Sequence, residues 1–126
     1  MGKYVIRPEE IATYHPAAHR GTVNRRLVGE ENVGAKYMEV VLGMVKEEGL
    51  AEPHFHDVEQ VMYLLEGKAF VEVDGVEDEM NAGDTVFLHP GSVHRTASIG
   101  GPTKWLLIYA PPLGGAGQKE FKRPKT

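Results

Sequence analysis

From Lys36 to Ala110 the chain is a succession of short β-prone runs cut by turn residues, a pattern that admits an all-β fold and little else. The sharpest cut is Asp74-Gly75, between the runs Ala69 to Val73 and Val76 to Met80. A two-residue hairpin of type I′ needs positive φ at both central residues, and Asp followed by Gly meets that need. Asn81-Ala82-Gly83-Asp84 is a second turn. Further strands are predicted over Tyr4 to Arg7, Thr22 to Val28, Lys36 to Val45, Glu59 to Glu66, Thr85 to His89, Val93 to Ser98 and Lys104 to Ala110. Pro8-Glu9-Glu10-Ile11 predicts a single helical turn, with proline at its start and acids behind it. Tyr14 to Arg20 reads as loop, Gly29 to Gly34 as a turn, and Glu47-Glu48-Gly49 as a turn leading into the next segment. No run has the apolar period of an amphipathic helix, so the expectation is a β-sandwich or barrel.

A length of 126 residues suits one domain with one core. The formal net charge of -4 argues against a nucleic-acid or anionic-membrane partner. There is no cysteine, so a transition metal would have to be held by nitrogen and oxygen. No apolar run is long enough to span a membrane, and Met1 to Glu10 is too charged for a signal peptide, so the expected location is the cytoplasm. Residues 1–35 are expected to supply N-terminal strands and loop that pack on the barrel or on a partner subunit. Residues 36–110 are the expected barrel. Residues 111–126, rich in proline, glycine and lysine, are an expected irregular tail.

The chemistry concentrates in His54-Phe55-His56 and a lone His94 downstream. Alternate residues of an extended segment face one way, so His54 and His56 point to the same side. Gln60 shares their parity and opens the next predicted strand, with Met62 and Leu64 continuing the face inward. The polar groups then gather near a barrel mouth, the apolar ones fill its floor, and Gln60 Oε1 can be a further ligand. The turn Pro90-Gly91-Ser92-Val93 can aim His94 back toward them. Neutral imidazole is the commonest protein ligand of divalent transition metals. Two histidines at strand spacing could equally be a hydrogen-bonded pair on a sheet surface, so spacing alone decides little.

Two motifs in order decide more. Gly49, a spacer, His54-x-His56, three residues, Gln60, six residues and Gly67 form the first. Gly83-Asp84, then His89-Pro90-Gly91, two residues, His94, three residues and Ser98 form the second. The pair resembles the cupin superfamily, in the small single-domain form, over roughly Lys36 to Ala110. The resemblance implies a jelly-roll-like barrel and one divalent metal ion (Fe, Mn, Ni, Zn or Co) on His54, His56, Gln60 and His94. Three positions depart from the pattern: Gln60 stands for a glutamate, His89 for a proline, and Ser98 for an asparagine. The glutamine leaves the ligand set neutral, so the ion keeps its full charge. That favours anionic ligands and Fe(II) over Fe(III). A one-residue slip would bring Glu59 in place of Gln60; parity and spacing favour Gln60.

His15 and His19 read as surface histidines. His89 and Arg25 are the candidate catalytic groups, His89 as an acid–base residue near the mouth and Arg25 as a forked partner for a substrate carboxylate. Arg25 and Arg26 alternate faces, so at most one points inward. Arg95 should face away from the site; Tyr37, Tyr63 and Trp105 read as core or interface aromatics. The cupin resemblance admits a metal-dependent enzyme, dioxygenase-like or a lyase or isomerase, acting on a small carboxylated or hydroxylated molecule. It also admits a non-catalytic binding or sensory protein with a structural metal. Cupins of this size commonly dimerise, so a homodimer is expected.

Overall fold

The computed structural model describes residues 4–17 and 19–113. Its elements are a 3₁₀ turn (Pro8–Glu10), β1 (Thr13–Tyr14), β2 (His19–Val28), α1 (Glu30–Val33), β3 (Glu39–Ala51), β4 (Glu59–Glu66), β5 (Lys68–Val73), β6 (Val76–Asn81), β7 (Thr85–Leu88), β8 (His94–Ser98) and β9 (Thr103–Ala110). The strands run in the order β6-β5-β8-β3-β9-β4-β7, with β2 added on β3 and β1 on β2. All pairings are antiparallel. The wall they form is a nearly closed β-barrel.

Alternation builds the interior. On β4, Gln60, Met62 and Leu64 are buried while Glu59 and Tyr63 are exposed, the pattern expected of a strand with one face on the core. Met62, Leu64, Ala69, Val71, Met80, Leu88 and Trp105 form the main apolar cluster at one end of the barrel. Val41, Val58, Tyr109 and Leu113 form a smaller one. Ser98, where the motif has asparagine, shares a hydrogen bond with the Thr103 hydroxyl, which in turn accepts from Trp105 Nε1. That relay satisfies the buried indole N–H and fixes the ring in the core.

The hairpin at Asp74-Gly75 has φ of +47° and +84°, as a type I′ turn requires. The expected helical turn at Pro8 is present as a 3₁₀ turn, and Gly29 to Gly34 wraps around the short α1. Three expectations are corrected. Tyr4 to Arg7 forms no strand: Tyr4 and Val5 are exposed and among the described residues no strand pairs with them, so β propensity there has nothing to act on. Glu47 to Gly49 is not a turn but lies within β3. The register between β2 and β3 shifts there, from Arg20↔Leu50 to Thr22↔Val45, so a bulge bends the strand without reversing it. The stretch read as loop over Tyr14 to Arg20 contains the end of β1 and the start of β2. β2 pairs with β3 from His19↔Ala51 to Val28↔Val40, so the N-terminal segment supplies a strand of the barrel wall. The expected tail from residue 114 onward lies outside the described residues.

Candidate metal centre

His54 and His94 are brought together by their own backbones. The His54 N–H donates to the His94 carbonyl at 3.1 Å, and the His94 N–H to the His54 carbonyl at 2.8 Å. Residues paired in this way stand side by side on one face of a sheet. The loop that delivers His94 is pinned twice: Val93 N–H donates to Asp74 Oδ1, and Gly91 N–H to the His56 carbonyl, both at 2.8 Å. The tip of the β5–β6 hairpin thus positions the third imidazole. The rings of His54 and His94 lie 4.3 Å apart, those of His54 and His56 4.9 Å, and those of His56 and His94 5.4 Å.

One ring nitrogen from each of the three lies within 4.8 Å of the others. Two nitrogens on one ion lie at most about 4.2 Å apart, so slight side-chain rotation suffices to bring them onto a common centre. His54 Nδ1 is 2.7 Å from the Glu52 carbonyl and His94 Nδ1 is 3.0 Å from the Ser92 carbonyl. A carbonyl can only accept, so both Nδ1 atoms carry the proton and both Nε2 atoms present lone pairs. Burial, then the neighbouring histidine His94, depresses the His54 pKa to about 2. Burial likewise takes His94 to about 4. Both rings are therefore neutral donors at neutral pH.

Gln60 joins them. It is 3% exposed, lines the same cavity, and its Oε1 is buried with no hydrogen-bond partner among the described residues. A buried amide oxygen without a partner destabilises the fold by roughly 1–3 kcal/mol, and an ion beside it would remove that cost. Glu59 has the opposite parity and is exposed.

The catalytic candidates are not in the cavity. Arg25 Nη1 donates to the Pro8 carbonyl at 2.6 Å on the outside of β2. Its neighbour Arg26 is the one that turns inward, where its Nε donates to Glu39. His89 is exposed, its ring 4.8 Å from Phe87. Neither is among the residues lining the cavity. Arg95 faces outward as expected and pairs with Glu72 at 2.8 Å. Tyr37, by contrast, is exposed rather than packed in the core.

Two features escaped the sequence reading. The cavity, of about 60 Å³, is lined by His19 together with Tyr14, Thr22 and Asn24, all from β1, β2 and the loop between them. His19 is not a free surface histidine: its ring sits 5.7 Å from that of His54, its Nδ1 reaches Thr22 Oγ1, and burial lowers its pKa to about 4. The parity of His19, Thr22 and Asn24 with the wall depends on the bulge opposite Gly21, which the sequence does not advertise. The second is Glu39, 1% exposed, which accepts from Arg26 Nε at 2.6 Å and from the Leu113 N–H at 2.8 Å.

The cupin domain family matches residues 41–109, more than half of the chain. The chain belongs to the cupin family. The cupin is 34% identical over 55 residues to the uncharacterized protein MJ1618 of Methanocaldococcus jannaschii, and spans 44% of that relative's length. Among solved structures it resembles the polyketide cyclase RemF of Streptomyces resistomycificus, with a TM-score of 0.80 at 21% identity, covering 100% of this chain and 87% of that one. It also resembles an RmlC-like cupin of Shewanella frigidimarina, with a TM-score of 0.75 at 21% identity, covering 88% and 93%. The oxalate decarboxylase of Bacillus subtilis matches with a TM-score of 0.78 at 17% identity, covering 93% of this chain and 31% of that one. At these identities the likeness is one of fold. Among the described residues no helix is long and apolar enough to cross a membrane.

Proposed function

We propose that this cupin holds one divalent transition-metal ion (Fe, Mn, Ni, Zn or Co) on His54, His56, His94 and Gln60, and acts as a metal-dependent enzyme. Its substrate would be a small carboxylated or hydroxylated molecule bound in the adjoining cavity. The observation that carries the reading is the orphaned Gln60 Oε1 buried beside three convergent imidazoles. A divalent ion held there supplies Lewis acidity toward an oxygen atom of the ligand. The chain's own residues do the rest. The Glu52 and Ser92 carbonyls fix two rings in one tautomer, and Leu107, Met62 and Trp105 keep one wall of the cavity apolar. Four neutral donors leave the ion's charge uncompensated, which favours an anionic oxygen, such as a carboxylate, as the group that approaches it. A cavity of about 60 Å³ next to the histidines supports a ligand-binding centre over a purely structural ion, because a structural site is closed. Dioxygenase-like, lyase and isomerase chemistry are all compatible with such a centre.

The test is elemental analysis of protein purified without added metal, followed by an oxygen-consumption screen over small organic acids. About one divalent ion per chain is expected. His54→Ala, His56→Ala or His94→Ala should lose it, and Gln60→Ala should weaken retention about tenfold, as ligand-shell changes typically do. Glu59→Ala should change nothing. Full retention in His54→Ala, or loss confined to Glu59→Ala, would overturn the assignment.

The homodimer is part of the same proposal, with a different surface from the N-terminal strand. Leu42, Met44, Val61, Tyr63, Phe87, Leu106 and Ile108 share the outer face of adjacent strands β3, β9, β4 and β7. Met44 and Phe87 are about half exposed there, at 51% and 48%. A contiguous apolar face of this kind is a self-association surface.

A further inference from the structure

We propose that Asn24 is a specificity-determining residue: its side-chain carbonyl accepts a hydrogen bond from a hydroxyl group of the bound molecule. The inference rests on the metal-centre reading above and names what another part of that cavity's lining selects. Asn24 lies in the middle of β2, registered against Tyr14 on β1 and Gly43 on β3. Asparagine is disfavoured in strand interiors, and here it is 5% exposed in a cavity wall shared with Val45, Leu107 and Trp105. It stands beside Tyr14, whose hydroxyl pKa is raised by burial and lowered by the Asn24 side chain. Its Oδ1 is buried with no hydrogen-bond partner among the described residues. A buried acceptor left in this state destabilises the fold, and such groups persist where a ligand completes them.

The room around it points the same way. A Cβ on Gly43 would lie 2.9 Å from Asn24 Oδ1, so only glycine at position 43 lets the carbonyl stand where it does. The chemistry of the missing partner follows from what lines the cavity. The buried atom without a partner is a carbonyl oxygen, which only accepts, so the ligand must bring a donor. Among the described residues no aspartate or glutamate lines the cavity, which disfavours an ammonium. A neutral hydroxyl is the donor that fits. A cavity of about 60 Å³ corresponds to roughly four to six water positions, so the ligand is small. Combined with a carboxylate at the metal, the class selected is a short hydroxy acid.

The experiment uses the full chain loaded with Co²⁺ and two matched pairs of acids: 3-hydroxypropionate against propionate, and 4-hydroxybutyrate against butyrate. Affinities are read by calorimetry and by the cobalt absorption bands. In the unaltered protein at least one pair should show about a tenfold preference for the hydroxy acid, the size of one hydrogen bond completing a buried acceptor. Asn24→Leu should abolish that preference while leaving cobalt content unchanged. Gly43→Ala, which displaces the carbonyl, should reduce it. A preference that survives Asn24→Leu would mean that the hydroxyl is read by the metal, and would overturn the proposal. So would equal binding of both members of both pairs, or binding of none of the four acids. Cobalt content distinguishes these failures from failure of the metal centre itself. A second readout needs no ligand. In a Tyr14→Phe background, where no phenol loses its partner, Asn24→Leu should raise the Tm of the metal-free protein by about 3 °C, because an unsatisfied carbonyl is removed. A fall in Tm would show that Asn24 serves the fold and overturn the proposal.

Discussion

Replacing Glu39 with alanine should cost this protein far more stability than removing an exposed charge. The Glu39 side chain is 1% exposed and that of Arg26, its partner at 2.6 Å, is 10% exposed. Deleting one member of a buried ion pair typically costs about 3–5 kcal/mol, because the survivor stays buried without compensation. Arg26 also contacts Glu31 at 2.8 Å, but that carboxylate is 58% exposed and compensates only weakly. The Leu113 N–H loses its acceptor as well. An unfolding entropy of about 2.1 cal/mol/K per residue makes each kcal/mol worth about 4 °C for a chain of 126 residues, so the expected fall in Tm is about 10–20 °C. Glu39→Gln should fall between the two, since an amide offers one acceptor oxygen where the carboxylate places one on each donor. The double variant Arg26→Met with Glu39→Leu should be more stable than Glu39→Ala, because no charge is left buried. Urea unfolding followed by fluorescence of the buried Trp105 measures all three, and hydrogen exchange at the Leu113 amide reports whether the segment beyond β9 has come loose. The consequence reaches the site, because Leu113 closes the cavity beside Tyr14 and Tyr109. A loss below about 1 kcal/mol for Glu39→Ala, or a double variant no better than the single one, would refute the reasoning.

Gln60→Glu places an anion in an otherwise neutral donor set. It should tighten metal retention and weaken the binding of propionate to the loaded protein by about tenfold or more, measured by calorimetry. The metal-free protein should lose stability in acid. His19 and His94 titrate near 4 in the folded chain against about 6.5 when unfolded, so the unfolded chain takes up protons first. Stability is therefore complete above about pH 6.5 and falls as the pH drops toward 4, by up to about 1.4 kcal/mol per pH unit for each histidine; a flat profile in urea melts with chelator present would contradict this. If the proposed homodimer forms through this face, Leu106→Lys, on the outer face between Leu42 and Tyr63, should make the protein sediment as a monomer without altering metal content.

The extent to which the sequence disclosed this arrangement follows from how local each signal is. Asp74-Gly75 needs only its own φ angles, and β4, β5 and β6 stand within one residue of the limits read from composition and alternation. Gln60, Met62 and Leu64 fall on the buried face because the period of a strand is two, and nothing in Glu59 to Glu66 disturbs it. The inward side of β2 was harder. Arg25 and Arg26 are equivalent by composition, and only pairing with β3 decides that Arg26 meets Glu39 while Arg25 reaches the Pro8 carbonyl. His19 failed for the same reason: a bulge opposite Gly21 resets the parity of the strand, and a bulge is a tertiary event. His89 follows Leu88 at the end of β7, where the chain leaves the barrel, so proximity in sequence to His94 does not become proximity in space.

The two halves of the site thus have different origins in the chain. All four proposed metal ligands lie within residues 41–109, the part that matches the cupin domain family. Tyr14, His19, Thr22 and Asn24 lie before it, and they line the same cavity. The metal end is built from segments that pair with each other through the His54–His94 bridge, whereas among the described residues β2 joins the rest of the sheet by strand pairing with β3. The backbones of His54, His56 and His94 take their partners from the loops and hairpin of the matched part. We expect substitutions at Asn24 or Tyr14 to alter which acid binds while cobalt content holds, and substitutions at Asp74 to lower cobalt content. A set of variants measured for both quantities separates the two walls; if Asn24→Leu and Asp74→Ala changed metal content alike, the cavity would be one cooperative unit and this division would be wrong.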